Sequence, residues 1–229
     1  MTESEAGHDA RLPVSSLTRI RRQAHRQVID RVALHAILDD ALIAHVGAVV
    51  DGHPVVLPMA CARDGDSLLL HGSTGAGQLR ACQGPQGVSV CVTHLDGLVV
   101  ARSVFDNSMN YRSAVIFGVP QPLEGGAKVA ALERLTDHLL PGRRREVRPS
   151  TPKELAATLV LRLSLAEASV KVRCGPATDP DDGEDPGVWA GVLPLRLCAG
   201  APVPDAAAAK LAVPSSVQSA RERAGVTGD

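Results

Sequence analysis

Over residues 27–40 the apolar pairs Val28/Ile29, Val32/Ala33 and Ala36/Ile37 recur every four positions, which lines them along one stripe of a helix. Beyond it the period falls to two, and Gly, Asp and Pro punctuate the chain. Residues 42–50, closed by Asp51-Gly52, and 53–63, closed by Asp64-Gly65-Asp66, read as hairpin-linked strands, the Asp-Gly pairs supplying positive φ. Residues 68–71 make a third strand and 73–81 a short helical or looped crossing. Val88, Val90 and Val92 alternate with Ser89, Cys91 and Thr93, giving a strand with one buried and one wetter face. A further hairpin at Asp96-Gly97 leads into 98–104, and 111–119 is the next strand. Antiparallel strands at this spacing predict a barrel.

Val129, Leu132, Leu135 and Leu139 then line a helix stopped by Pro141-Gly142. Leu159, Leu161, Leu163 and Leu165 alternate strictly and continue as Val170 and Val172 past an irregularity at 166–168. An acidic, Pro-rich loop follows over 176–186, and a last strand over 188–197. The pattern predicts one mainly β (α+β) domain over 25–200. It is preceded by a flexible arm, 1–24, carrying Arg19, Arg21 and Arg22, and followed by a poorly ordered tail, 201–229, where periodicity fades.

Composition narrows the function. Lys+Arg number 24 against 25 Asp+Glu, so the basic excess that phosphate-backbone binding needs is missing. Phe105, Tyr111, Phe117 and Trp189 are the only aromatics, too few for a base-stacking platform. The five cysteines are odd in number and contain no C-x-x-C, which argues against a disulfide framework and against a Cys-type zinc site. With an acidic N-terminus and no apolar stretch of spanning length, a cytoplasmic protein with no membrane and no nucleic-acid partner is expected.

Nucleophile-elbow, P-loop and metalloprotease motifs are missing from the sequence. Gly72-Ser73-Thr74-Gly75-Ala76-Gly77 only loosely follows a dinucleotide loop. It does place a Gly-rich turn at a strand end, with a hydroxyl and Arg80 beside it, which are the parts needed to hold a phosphate. An ordinary strand-to-helix turn has the same parts. His45, His53, His71 and His94 lie near strand ends without metal-ligand spacing, so no metal is expected. Residues 107–113 set Tyr111, Arg112 and Ser113 at the head of an apolar strand, where Tyr111 could equally serve the core and Arg112 pair with an acid. Lys171 and Arg173 project from the face opposite Val170 and Val172.

The ordered strings His71-Gly72-Ser73, Asp96-Gly97-Leu98-Val99-Val100, Asn110-Tyr111-Arg112-Ser113, Pro141-Gly142-Arg143, Ser169-Val170-Lys171-Val172-Arg173 and Trp189-Ala190-Gly191-Val192-Leu193-Pro194 resemble the pyridoxamine 5'-phosphate oxidase-like, FMN-binding split-barrel family, in particular its nitroimidazole-resistance-related, actinobacterial branch. The resemblance implies a six-stranded antiparallel split β-barrel with peripheral helices. It also implies a homodimer with flavin sites in the cleft between subunits. By position, Leu57, Pro58 and Met59 would run along the isoalloxazine edge, with His71, Ser73 and Arg80 beside ring and phosphate. Tyr111, Arg112 and Ser113 would form the second wall, and Lys171 and Trp189 would reach in from later strands.

One departure stands out. The family pattern carries a Ser-Arg pair in the phosphate loop where this chain has Ala76-Gly77. Charge-assisted hydrogen bonds of that kind are worth roughly 1.5–3 kcal/mol each. The resemblance implies an oxidoreductase moving hydride between FMN and a small organic substrate or NAD(P)H, with His71 and Arg112 as catalytic candidates. The alternatives are a protein that sequesters FAD, the deazaflavin F420 or haem, and a cofactor-free homologue recruited to a biosynthetic step.

Overall fold

The computed structural model describes residues 10–177 and 187–225. The chain runs β1 (Gln27–Val28), α1 (Arg31–Asp40), β2 (Ile43–Val50), β3 (His53–Asp64), β4 (Ser67–Ser73), α2 (Gly77–Ala81), β5 (Val88–Val100), β6 (Ser108–Gly118) and β7 (Gln121–Pro122). It continues through α3 (Gly125–Leu139), α4 (Pro152–Ala156), β8 (Thr158–Ser164), β9 (Ala168–Arg173), β10 (Gly191–Pro194) and α5 (Ser215–Ala224). One antiparallel sheet holds the strands in the order β1-β9-β6-β5-β2-β3-β4-β8-β7, with β10 added to β5. It is larger than the six strands expected: seven longer strands form it, and β1, β7 and β10 are short additions of two to four residues. The sheet curls like a barrel and does not close.

The opening helix is shorter than 27–40. Gln27 and Val28 pair with Lys171 and Val170 as strand β1, and the helix starts after Asp30, whose side chain accepts from the Val32 amide at 2.9 Å. Its buried stripe is Leu34, Ile37 and Leu38, whereas Val32 is 70% exposed. On α3, too, the inward face is Lys128, Ala131 and Leu135, with Val129 partly exposed.

Leu68, Leu69 and Leu70 of β4 are all fully buried, which breaks the simple alternation. Leu68 and Leu70 join the barrel core with Val46, Val90, Ile116, Leu161 and Leu163, while Leu69 points to the other face and packs with Ala62, Val160, Ala131 and Leu135 under α3. A strand covered on both faces reads as a continuous apolar run.

Two turns differ from the sequence expectation. Asp96-Gly97 is not a hairpin: β5 runs straight through it, and the register slips between Leu95 (opposite Tyr111) and Gly97 (opposite Asn110), leaving Asp96 as a bulge. At 165–167 the alternating run does not continue but turns a corner. Strand β8 pairs with β4 and β7, whereas β9 pairs with β6 and β1 at the far end of the sheet order. The last strand is also shorter than 188–197, only Gly191–Pro194 on β5.

Within the segment expected to be poorly ordered, α5 forms and docks. The Glu146 carboxylate accepts from the Ser216 hydroxyl at 2.5 Å, the Ser216 amide at 3.0 Å and the Ser215 hydroxyl at 2.8 Å, and these bonds hold its pKa down to about 2. Most of the acidic loop, 178–186, lies outside the described residues. Among those described, no helix is long and apolar enough to cross a membrane.

Candidate functional site

The sheet opens between β3 and β4. Strand β3 pairs with β4 only over Cys61–Asp64, against Leu70 back to Ser67; its earlier part, His53 to Ala60, pairs with β2 alone. Strand β4 leaves β3 after Leu70, and His71, Gly72 and Ser73 pair on their other side with Val160, Leu159 and Thr158 of β8. Leu57, Pro58 and Met59 therefore face His71 and Ser73 across a split, each strand with one edge free of sheet bonding. Unpaired backbone donors and acceptors next to apolar side chains suit the edge of a polar heteroaromatic ring.

Side chains bring these residues together. A Cβ built on Gly72 would stand 2.9 Å from Leu79 and 4.0 Å from the Met59 methyl, so Met59 and α2 crowd the strand end where only glycine fits without displacement. The turn after Ser73 is tied down: Thr74 donates its amide to the Ala157 carbonyl at 2.9 Å, and the Ser73 hydroxyl accepts from the Gly75 amide at 3.1 Å. The Ala76 amide also goes to Ser73, through its carbonyl at 3.0 Å. Arg80 donates back to the Thr74 carbonyl at 2.9 Å. This turn spends part of its donor set on itself, as an ordinary strand-to-helix turn does.

His71 stands out chemically. Its Nδ1 is buried and has no hydrogen-bond partner, and burial pushes the pKa of the imidazole below its ordinary value of 6.5. The ring is thus neutral at pH 7, with a polar atom whose desolvation nothing among the described residues compensates. A flavin, with its rim of carbonyl and ring-nitrogen groups, fits an orphan of this kind.

The other predicted residues lie elsewhere in the same chain. Tyr111, Arg112 and Ser113 sit on β6, with Lys171 on the adjacent β9, and the Ser113 hydroxyl donates to the Lys171 carbonyl at 3.3 Å. The Lys171 ammonium donates to the Arg22 carbonyl at 3.3 Å, fastening the N-terminal arm. Trp189 is 66% exposed and lies over Gly191 at the head of β10. Strands β5 and β2 separate β6 from β3 in the sheet, so one chain holds two groups of candidate residues rather than one closed site.

Arg112 is fully engaged. It forks onto Asp96, with Nε and Nη2 each 3.1 Å from a carboxylate oxygen, and donates through Nη1 to Asp40 at 2.8 Å. The paired alternative read from the sequence is the arrangement present, and both carboxylates raise the guanidinium pKa further. The bulge at Asp96 is what aims its carboxylate at Arg112 two residues from the direct cross-strand pair His94/Arg112. Sequence reasoning missed this clamp because Asp-Gly carries the same local signature in a hairpin and in a bulge. It also missed α5 and its anchor Glu146, which lies 69 residues before the Ser215 it holds. Among the described residues no cluster of His, Cys, Asp or Glu could hold a metal ion.

An open antiparallel barrel with a split strand pair, a glycine-rich turn and an unsatisfied histidine at the split defines a flavin-binding split barrel. The chain belongs to the pyridoxamine 5'-phosphate oxidase family, whose model matches residues 30–172. Among solved structures it is similar to the FAD and haem binding protein of Mycobacterium smegmatis, at 44% identity over 86% of this chain and 97% of that one, with a TM-score of 0.81. It is also similar to the flavocytochrome Anf3 of Azotobacter vinelandii, at 35% identity over 90% and 96% of the two chains, TM-score 0.84. A 5-nitroimidazole antibiotic resistance protein of Bacteroides thetaiotaomicron shares the fold at 22% identity over 64% and 86%, TM-score 0.52. Among curated proteins, none matches.

Proposed function

We propose that the protein is a homodimeric flavin-dependent oxidoreductase of the cytoplasm that binds FAD at the split between β3 and β4 and carries haem as a second prosthetic group. The observation that carries the flavin reading is the free edge of Leu57, Pro58 and Met59 opposite the uncompensated Nδ1 of His71. FAD rather than FMN fits the loop. With Ala76-Gly77 in place of a Ser-Arg pair, a terminal phosphate loses its charge-assisted anchors, while a dinucleotide spreads its charge and adds adenine burial as a second source of affinity. The two similar structures described as FAD- and haem-binding and as a flavocytochrome support the same choice and supply the haem.

Bound flavin would supply hydride and electron chemistry; the chain supplies position. Leu57 to Met59 lie along the ring edge, neutral His71 offers a hydrogen bond to it, and Ser73 and Arg80 stand at the phosphate end. Tyr111, Ser113, Lys171 and Trp189 complete the cleft from the second subunit, which reconciles their separation in one chain with a shared site. Arg112 holds the second wall in shape through Asp96 and Asp40.

The test is the absorption spectrum of freshly purified protein, mass spectrometry of what denaturation releases, and anaerobic reduction by NAD(P)H. Release of FAD and bleaching of the flavin bands are expected. Release of FMN alone would overturn the choice of dinucleotide. Bound flavin that no physiological reductant bleaches would mark a storage protein instead.

A further inference from the structure

A cavity lies between the outer side of the Arg112–Asp96–Asp40 clamp and the C-terminal strap, and none of the residues of the β3/β4 split lines it. Its volume is about 1210 Å³, above the range of roughly 300–1,000 Å³ usual for small-molecule sites. One wall is barrel: Leu42, His94, Leu95 and the Arg112–Asp96–Asp40 clamp. The other is the C-terminal strap, Leu195 to Gly200 and the last two turns of α5.

The two walls differ in charge. On the barrel side the cation is balanced, since Arg112 is fully occupied by two carboxylates. On the strap side Arg196, Arg221 and Arg223 face Glu222 alone. Arg223 donates to the Leu139 carbonyl, but the side chains of Arg196 and Arg221 make no hydrogen bond or ion pair among the described residues. The Arg221 Nε is moreover buried without a partner. A guanidinium N–H shielded from water and left unpaired is destabilising unless something supplies an acceptor, and the rest of the lining, Leu42, Leu139, Leu195 and Val217, is apolar. Apolar body and two or more anionic groups at one side is the ligand chemistry this lining complements.

We propose that this cavity binds a large, flat, carboxylate-bearing apolar molecule of the porphyrin dicarboxylate class, with Arg221 and Arg196 pairing its carboxylates and Leu139, Leu195 and Val217 packing on its body. The inference rests on the haem part of the functional reading and adds the place and the residues. Helix α5 is a fixed wall: Glu146 pins its first turn to the body through Ser215 and Ser216, so the strap is a positioned element rather than a loose end.

The probe is metal-free protoporphyrin IX, which tests recognition of the carboxylates and the apolar plane without iron coordination, followed by fluorescence on titration into the flavin-loaded protein. Wild type is expected to bind it, and Arg221→Gln to weaken binding about tenfold, the usual effect of losing one charge-assisted hydrogen bond. Arg196→Gln combined with Arg221→Gln should weaken it further while flavin content stays unchanged, which also reports that the variants are folded. A second variant, Val217→Asp, puts a like charge beside the carboxylates and should abolish binding with the arginines intact. Equal porphyrin affinity in wild type and all three variants would overturn the assignment while leaving the flavin reading standing. Flavin-loaded wild type that takes up no porphyrin would overturn it as well, whereas protein that holds neither ligand would overturn the functional reading itself.

Discussion

His71 shows how far one side chain can be argued. Because burial lowers its pKa below 6.5, the unfolded chain binds more protons than the folded one between the two values. The stability tied to neutral His71 is therefore complete above about pH 6.5 and declines as the pH falls below it. Thermal unfolding of wild type from pH 7.5 to 5.5 should show the midpoint dropping, and His71→Asn should remove part of that slope; an unchanged slope would mean that Nδ1 is satisfied in solution. Arg112 makes a second residue-scale case. Its two ion pairs are only half-buried, so Arg112→Gln should cost about 1 kcal/mol in denaturant unfolding rather than the several of a buried pair. Loss of flavin affinity without loss of stability would instead put the guanidinium in the flavin site. Cys61, fully buried and with its thiol pushed up to about 12, should resist alkylation in the native protein, whereas the exposed Cys174 and Cys198 should react. Mass mapping after brief labelling decides this.

At the scale of elements, what the sequence revealed depended on whether an element is held by its own apolar pattern. Strands β2, β3 and β6 were readable because alternation and Asp-Gly turns are local signals, and their bounds agree with the structure to within a few residues. The stripe of α1 was misplaced because Val28 and Ile29 have helical spacing, yet Val28 belongs to a strand pairing with residues over 140 positions later and Ile29 lies between that strand and the helix. The α5 helix was invisible for a related reason. Its anchor is a polar contact from Glu146, not an apolar face, so no periodicity announces it. Within the candidate site, the β3/β4 split was legible only through the family resemblance. A strand that changes partner halfway has the same alternation as one that does not. Packing between elements gives a further prediction. Leu69 is fully buried between β4 and α3, so Leu69→Ala should cost about 2–5 kcal/mol by denaturant unfolding, and a cost below 1 would mean that α3 is not seated there. Gly87, at φ +69° with the Gly118 carbonyl oxygen 2.6 Å from where a Cβ would stand, should tolerate alanine no better.

The whole molecule reads as an incomplete object. One chain presents a free strand edge and an unsatisfied histidine at one place, and a second set of polar residues on β6 and β9 at another, with the sheet order holding them apart. Ile43, Val56, Leu98, Met109 and Leu193 are exposed apolar side chains on strands β2, β3, β5, β6 and β10, and the proposed dimer would cover some of them. Light scattering on the flavin-loaded protein should give twice the chain mass of 23.9 kDa, and a stable monomer with flavin bound would remove the second wall from the site. The most direct test of the central claim, that the flavin occupies the β3/β4 split, is backbone hydrogen exchange with and without FAD. Slowed exchange concentrated in Leu57 to Ala60 and His71 to Gly77 is the predicted result. Protection elsewhere, with those two segments unchanged, would contradict it.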